Sequence, residues 1–546
     1  MLPSADTSPQ ASSAPAAVPG WRLLWQDLSS PAYRRAAAWS IPVALLAYGF
    51  AMANFTLAGD DWFAVFPDVD LDRDYLLWAG RWATPLIWTI TGNGAFVPWF
   101  TLAAALGILI ASGLVAASAL RLTRAWAVFA LVALGVSCPL YADKLSFKLI
   151  HFSSPLAVAA SAAAGWLLLR GSGRVRRMVS AAALVALTLA IYQPTALVWV
   201  LVLVGGEVRE AVGEGGGYWR KAWPRWLEAA GTLILALAAY FVSVRVAWWA
   251  TSIDPSEAPR AYSLVGGYPS DLGEIGRAVR RAGSVYGRFW FQTTALYPVA
   301  LKAAGLALVA AGAAATACFA GRARDSGGRW ARRAAQSWIV LLGVASTALP
   351  FTTVLVREDP PLRAAVFVSV GWLCGMWAAL LLEHLWAGER RPQRVAAGTT
   401  AAVVVLLALA GAFQVGKGFT GLHLAFQRDL ASANRMLSVM EQMPEFAEGE
   451  EIRVELVGRV RFATDGPPFS NVVAGTPAAS IVNCSGLGCQ NHLVDLLNLV
   501  GGGDRPFVAR RVSGREEVAA IVAEMPPWPQ PGSIRYLAGS FVIKGY

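Results

Sequence analysis

Ala36-Ala-Ala-Trp-Ser-Ile-Pro-Val-Ala-Leu-Leu-Ala-Tyr-Gly-Phe-Ala-Met-Ala-Asn-Phe-Thr56 carries no charged side chain from residue 36 to residue 56. Roughly 20 helical residues cross the hydrocarbon core of a bilayer, so this run is long enough to span one. Similar runs recur at 97–119, 125–142, 152–169, 178–192, 194–206, 227–250, 297–320, 337–356, 364–386 and 396–415. The periodicity therefore predicts a polytopic helical membrane protein with about eleven transmembrane helices. Composition agrees: of 546 residues, 56% are hydrophobic and 15% charged, with a mean hydropathy of +0.48. Soluble domains carry roughly 25% charged residues.

Basic clusters fall on alternate connections. Arg34-Arg35, Arg121 with Arg124, Arg170 with Arg174, Arg176 and Arg177, and Arg220-Lys221 with Arg225 share one side. Arg322 to Arg333 and Arg390, Arg391 and Arg394 continue it. The positive-inside rule makes that side cytoplasmic. The net charge of +11 is then largely a topology signal, and nucleic acid is not an expected partner. Three parts are expected: a disordered cytoplasmic tail over 1–35, a transmembrane domain over 36–417 with outer loops at 57–96 and 251–296, and an extracytoplasmic α/β domain over 418–546. The tail is Ser-, Ala- and Pro-rich up to Gly20 and has no apolar centre, unlike a signal peptide.

Polar chemistry concentrates on the outer side. The first run ends in Asn54-Phe-Thr-Leu-Ala-Gly-Asp-Asp-Trp62, which holds Asp60 and Asp61 at the membrane boundary. Ionisable groups beside a bilayer span are costly and usually functional. Such a carboxylate can take a proton from a hydroxyl, its basicity tuned by its neighbour and by partial burial. The alternative is a polar helix cap. Asp68-Val-Asp-Leu-Asp72 superficially resembles a calcium loop but lacks the required glycine and distal glutamate, so a solvated acidic turn is the simpler reading.

Tyr75-Leu-Leu-Trp-Ala-Gly-Arg-Trp82 adds Tyr75, Trp78, Arg81 and Trp82, and Leu189-Ala-Ile-Tyr-Gln-Pro-Thr-Ala196 places Tyr192 and Gln193 at a break in an apolar stretch. Broken helices are tolerated where they line a cavity or form a tight outer turn, and both readings put Tyr192 and Gln193 near the Asp pair. Trp62, Trp78, Trp82 and Trp88 could stack on sugars or form an interfacial belt. Arg357 and Arg363 lie in a short outer loop. The Arg277 to Arg281 cluster is a second candidate for an anion-binding clamp, but Ile275–Val285 has an amphipathic pattern and reads more simply as an interfacial helix with solvated or headgroup-bound arginines. In the tail, helical periodicity covers Leu424–Met443, alternation predicts a strand over Ile452–Val457, and a helix over Asn491–Val500 and a closing strand over Arg535–Ile543 complete the α/β unit. Cys484 and Cys489, five apart in an exported segment, suggest a local disulfide; zinc lacks a second ligand pair beside His492. Cys138, Cys318 and Cys374 read as small core residues.

The order Asp60-Asp61, Tyr75…Trp78…Gly80-Arg81, then Ile191-Tyr192-Gln193 resembles the bacterial integral-membrane glucosyltransferases of the glucosyltransferase II type, the serotype-converting enzymes that modify O-antigen. The resemblance extends over about 36–460, through the Arg363 region after Pro360-Pro361 and the Asp429…Ala433…Met440 helix. It implies a GT-C-like glycosyltransferase that takes a sugar, glucose first, from a polyprenyl phosphate. The acceptor would be a surface glycan or lipid-linked glycan such as O-antigen, on the outer face of the bacterial inner membrane. Two departures stand out. The family's Asp-Asp-x-x-Arg arginine is replaced by Ala64 or Val65, leaving Arg73 as a substitute, and Trp82 stands where a smaller residue is common.

Within that reading Asp60 or Asp61 is the base for inverting displacement, and Arg81, Arg357, Arg363 and Arg73 hold the donor phosphate. Trp62, Tyr75, Trp78, Trp82, Tyr192 and Gln193 line the substrate cavity. No cofactor is required, because arginines can carry the phosphate charge; a divalent cation on the Asp pair is the alternative. Against catalysis stand a transporter or flippase for a polyprenyl-linked sugar and an envelope scaffold. The chain shows no hydropathy repeat of the kind many transporters have.

Overall fold

The computed structural model describes residues 20–56, 70–91, 97–147, 150–214, 218–257, 271–292, 297–322, 329–355, 367–388, 390–447, 450–458, 487–501 and 505–545. In chain order the helices of the first part are α1 (Gly20–Ser29), α2 (Pro31–Ala53), α3 (Asp70–Trp78), α4 (Ala83–Ile90), α5 (Pro98–Ala119), α6 (Ala125–Val136), α7 (Pro139–Leu145) and α8 (Ser153–Arg170). There follow α9 (Arg174–Tyr192), α10 (Ala196–Glu214), α11 (Tyr218–Thr251), α12 (Leu272–Phe291), α13 (Val299–Arg322), α14 (Arg329–Ala348), α15 (Ser369–Ala387) and α16 (Arg391–Glu441).

Within the described residues each of the eleven apolar runs is largely helical. By length and composition, however, 8 helical stretches among the described residues are able to cross a bilayer. The difference has local causes. α6 is a short apolar helix, α8 is diluted by Ser, Gly and Trp, and α9 with α10 forms one stretch, Arg174–Gly213. That stretch turns back on itself at a 3-10 turn, Gln193–Thr195. Along α8, the Thr188 hydroxyl donates to the Ala157 carbonyl while Ala181 and Ala182 cluster with Ala164 and Leu168, so α9 runs antiparallel to α8. In α10 the order reverses: a Cβ on Gly165 would meet Val202 at 2.6 Å, and one on Gly206 would meet Leu169 at 2.6 Å. The turn's backbone is satisfied from α8, where Ser161 Oγ donates to the Thr195 carbonyl (2.9 Å) and accepts the Trp199 N–H (3.0 Å).

Helix α15 packs closely on α6. Gly371 and Gly375 form a small-xxx-small face; a Cβ on Gly371 would lie 2.7 Å from the Leu134 carbonyl oxygen, and one on Gly375 2.9 Å from that of Leu131. Many arginines of the basic end are ion-paired. Arg170 meets Asp27 at 2.9 Å, Arg174 and Arg177 share Glu228, and Arg225 bridges Glu207 and Glu210 at 2.9 and 3.0 Å. Buried Glu383 accepts the Thr123 and Arg124 N–H groups, capping α6. Exposed Trp21, Trp25, Trp223 and Trp330 ring this end, and Trp99 and Trp249 are exposed at the other, as membrane-interface tryptophans are.

The disordered tail expected over 1–35 is corrected from Gly20 onward. α1 is helical, packs Leu24 and Leu28 on the core, and is tied down by Asp27, which also accepts the Ser118 hydroxyl at 2.6 Å.

The expected division after residue 417 falls inside one continuous helix. α16 runs unbroken from Arg391 to Glu441, and its far end delivers Phe426, Ala433, Met436, Leu437 and Met440 into the C-terminal core. Gly416 and Gly418 look like breakers in sequence, yet Gly416 lies against the backbone of α2, where small size is an asset. Beyond it come β1 (Ile452–Val457), α17 (Leu487–Gly501), β2 (Phe507–Ala509), α18 (Glu516–Glu524), β3 (Ile534–Leu537) and β4 (Ser540–Lys544). The sheet order is β2-β1-β4-β3, parallel except for the β3–β4 pair. The single closing strand expected over Arg535–Ile543 is two strands, because Ala538 and Gly539 (φ 49° and 79°) make a two-residue hairpin turn.

Candidate functional site

The site grows from a helix ending. In Tyr75-Leu-Leu-Trp-Ala-Gly-Arg81, the Gly80 N–H donates to the Leu77 carbonyl (3.0 Å) and the Arg81 N–H to the Leu76 carbonyl (2.7 Å). Gly80 has φ 69°. This double bond pattern around a left-handed glycine closes α3 and turns the chain back, so Arg81 is delivered against the α9–α10 turn.

There Arg81 Nε donates to Gln193 Oε1 at 3.0 Å, and its guanidinium carbon lies 4.9 Å from the centre of the Tyr192 ring. Gln193 is itself fixed: its Nε2 donates to the Ala79 carbonyl (2.8 Å) and to the Tyr240 hydroxyl (3.2 Å). A backbone carbonyl can only accept, so the amide is obliged to turn its oxygen toward Arg81. On the same Tyr192 ring sits Lys144 of α7, Nζ 3.8 Å from the centroid. Two cations thus share one buried aromatic ring, an arrangement stabilised by the ring quadrupole. The Nη groups of Arg81 have no hydrogen-bond partner among the described residues.

The walls are aromatic and held by their polar atoms. Trp82 Nε1 donates to Ser243 Oγ (2.9 Å), Trp78 Nε1 to the Asp254 carbonyl (3.2 Å) and Trp248 Nε1 to the Leu77 carbonyl (2.8 Å). Tyr75 meets Trp78 edge-on at 5.7 Å. Below them Leu77, Ala83, Ile191, Val244 and Trp248 form a dry floor. The Asp254 carboxyl is held below its ordinary range by hydrogen bonds from Ser256.

Arg81, Trp82, Tyr75, Trp78, Tyr192 and Gln193 are therefore brought to one place. Trp78 and Trp82 serve as walls pinned to α11 and the loop after it. Asp60, Asp61, Trp62, Arg357, Arg363 and Cys484 lie outside the described residues. Arg73 falls in α3 and Cys489 in α17, but their side chains are also outside the description. Thr56, four positions before Asp60, is anchored on α16: His423 Nδ1 lies 3.1 Å from its hydroxyl and 3.2 Å from the Phe55 carbonyl. Sequence reasoning missed Lys144, Tyr240, Ser243 and His423. Lys144 had a signal, as a cation just past an apolar run; Tyr240 sits unmarked among Ala and Leu in a span. Among the described residues no three His, Cys, Asp or Glu side chains converge.

Apolar helices collared by tryptophan, with a cationic, aromatic pocket at the end away from the paired charges, define a polytopic helical membrane protein with a small α/β unit. Residues 49–272 match the family model described as Glucosyl transferase GtrII, so this part of the chain is similar to that family. The match contains Asp60, Asp61, Arg73, Arg81, Lys144, Tyr192, Gln193 and Tyr240; Arg357 and Arg363 lie beyond it. No curated protein and no solved structure matches the chain.

Proposed function

We propose that the chain is an inverting membrane glucosyltransferase that moves glucose from a polyprenyl phosphate to a surface glycan of the O-antigen kind. On this reading it works on the outer face of the bacterial inner membrane, with the C-terminal unit on the same side. The observation that carries the proposal is the Arg81 guanidinium, fixed through Nε by Gln193 and set over the Tyr192 ring, with its Nη groups unpartnered among the described residues.

In the reaction the acceptor oxygen attacks the anomeric carbon and the bond from that carbon to the phosphate oxygen breaks. The electron pair leaves with the phosphate, and the acceptor's proton passes to Asp60 or Asp61. Charge on the leaving phosphate grows toward the transition state, so a preoriented guanidinium binds that state better than the ground state. Arg81 supplies it, Lys144 adds a second positive charge at the same ring, and Arg73, Arg357 and Arg363 are further phosphate ligands. These cations meet the charge requirement without a metal.

The test is transfer from radiolabelled polyprenyl-phosphate glucose by purified protein in nanodiscs. Asp60→Asn, Asp61→Asn and Arg81→Ala are run beside wild type. Transfer that collapses in one Asp variant supports the reading and identifies the base. A folded wild type that transfers nothing from glucose, mannose or galactose donors overturns it in favour of carriage without bond chemistry.

A further inference from the structure

Helix α12 leaves the bundle with its apolar stripe half covered. Leu272, Ile275, Val279, Ala282, Tyr286 and Phe289 follow at spacings of three and four, so they line one face. At the carboxyl end this face is packed. Phe289 lies 5.2 Å from Phe351 and 5.3 Å from Phe367, ring to ring. Buried Lys302 locks that end, donating to the Phe289 and Gln292 carbonyls at 2.7 and 2.9 Å. Toward the amino end the same face emerges: Leu272, Ile275 and Val279 are 86%, 47% and 55% exposed.

Its other side is cationic and exposed, with Arg280 on the flank of the stripe beside Val279 and Arg277 and Arg288 on the opposite face. Glu274 is the helix's one acid, and it lies 3.7 Å from Arg277. The level of α12 is set by what covers Phe289: the start of α13 side and the 3-10 turn Leu349–Leu355 that ends α14, both termini of apolar spans. A helix at the mouth of membrane spans, apolar below and basic on its flank, faces the one large surface that is apolar beneath anionic headgroups. Three uncovered side chains are too few for a stable protein interface, which buries about 800 Å² on each partner.

We infer that the amino-terminal half of α12 rests on the membrane surface, with Leu272, Ile275 and Val279 against the acyl chains and Arg280 on the phosphates of anionic phospholipids. This stands apart from the transfer reaction and uses none of the residues assigned to it.

Hydrogen–deuterium exchange of the full chain tests it, in nanodiscs of phosphatidylcholine alone and of phosphatidylcholine with phosphatidylglycerol. Amides over 272–281 should exchange about tenfold more slowly with the anionic lipid. The variant Arg280→Gln should lose most of that difference while the amides of α15 keep their protection, which shows the bundle intact. Equal exchange of 272–281 in the two lipid compositions overturns the inference. So does an Arg280→Gln protein that keeps the full lipid difference.

Discussion

Arg81 and Gln193, 112 positions apart in the chain, are joined by a single hydrogen bond from Nε to Oε1 at 3.0 Å. Because Gln193 is held from behind by the Ala79 carbonyl and the Tyr240 hydroxyl, it acts as a bracket that sets the guanidinium plane. Gln193→Leu keeps the side chain's bulk but frees Arg81 to swing. Transfer should fall roughly 10–100-fold, as loss of a positioning contact does. Arg81→Lys keeps the charge without the planar fork and should do no better. Steady-state transfer kinetics would show the loss mainly in kcat; a change confined to KM would mean that Arg81 only binds donor.

Lys144 and Arg81 approach the same Tyr192 ring at 3.8 and 4.9 Å. Lys144→Met removes one of the two charges and should lower kcat/KM for the phosphate donor about tenfold, while Lys144→Arg should retain most of it. Tyr192→Phe keeps the ring face and should be mild, whereas Tyr192→Leu loses the platform for both cations. Ranking the four variants by donor kcat/KM checks the platform; equal activity of Tyr192→Leu and wild type would remove it.

The fold was more legible than the site. Apolar runs mark helices because a bilayer leaves the backbone few other ways to satisfy its hydrogen bonds, and the described part of each of the eleven runs is largely helical. Boundaries failed where packing overrides local preference. Glycines at 416 and 418 stay helical, so α16 runs on for 51 residues. Ala538-Gly539 splits what alternation reads as one strand. Arg81, Tyr192 and Gln193 were visible because polar groups are rare at the ends of apolar runs. Tyr240 was not, since nothing local distinguishes a tyrosine that packs from one that brackets an amide.

Gly371 and Gly375 let α15 sit almost backbone to backbone on α6. At Gly371 an added Cβ would lie 2.5 Å from Cys138 Cβ, and neither that atom nor the Leu134 carbonyl is a flexible end that could give way. Gly371→Leu should therefore cost more than about 3 kcal/mol and prevent a stable bundle. Gly398→Ala, on an open face of α16, should be neutral or slightly stabilising. Thermal unfolding in detergent followed by fluorescence-detected gel filtration would separate the two. Similar melting of both variants would show that the α6–α15 contact is looser than its geometry.

Ser161 links the membrane core to the pocket. Its hydroxyl donates to the Thr195 carbonyl and accepts the Trp199 N–H, bridging two backbone groups four residues apart where the 3-10 turn passes into α10. Ser161→Ala strands both in a dry environment and should cost about 1–3 kcal/mol. The turn that relaxes also carries Tyr192 and Gln193, so activity should fall beyond what lost stability explains. Transfer measured well below the melting temperature of the variant makes the distinction. Ser161→Thr restores the hydroxyl and should recover activity if its extra methyl fits between α8 and α10. A Ser161→Ala protein that melts lower yet transfers at the wild-type rate would show that the turn's hydrogen bonds serve the fold and leave the bracket around Arg81 untouched.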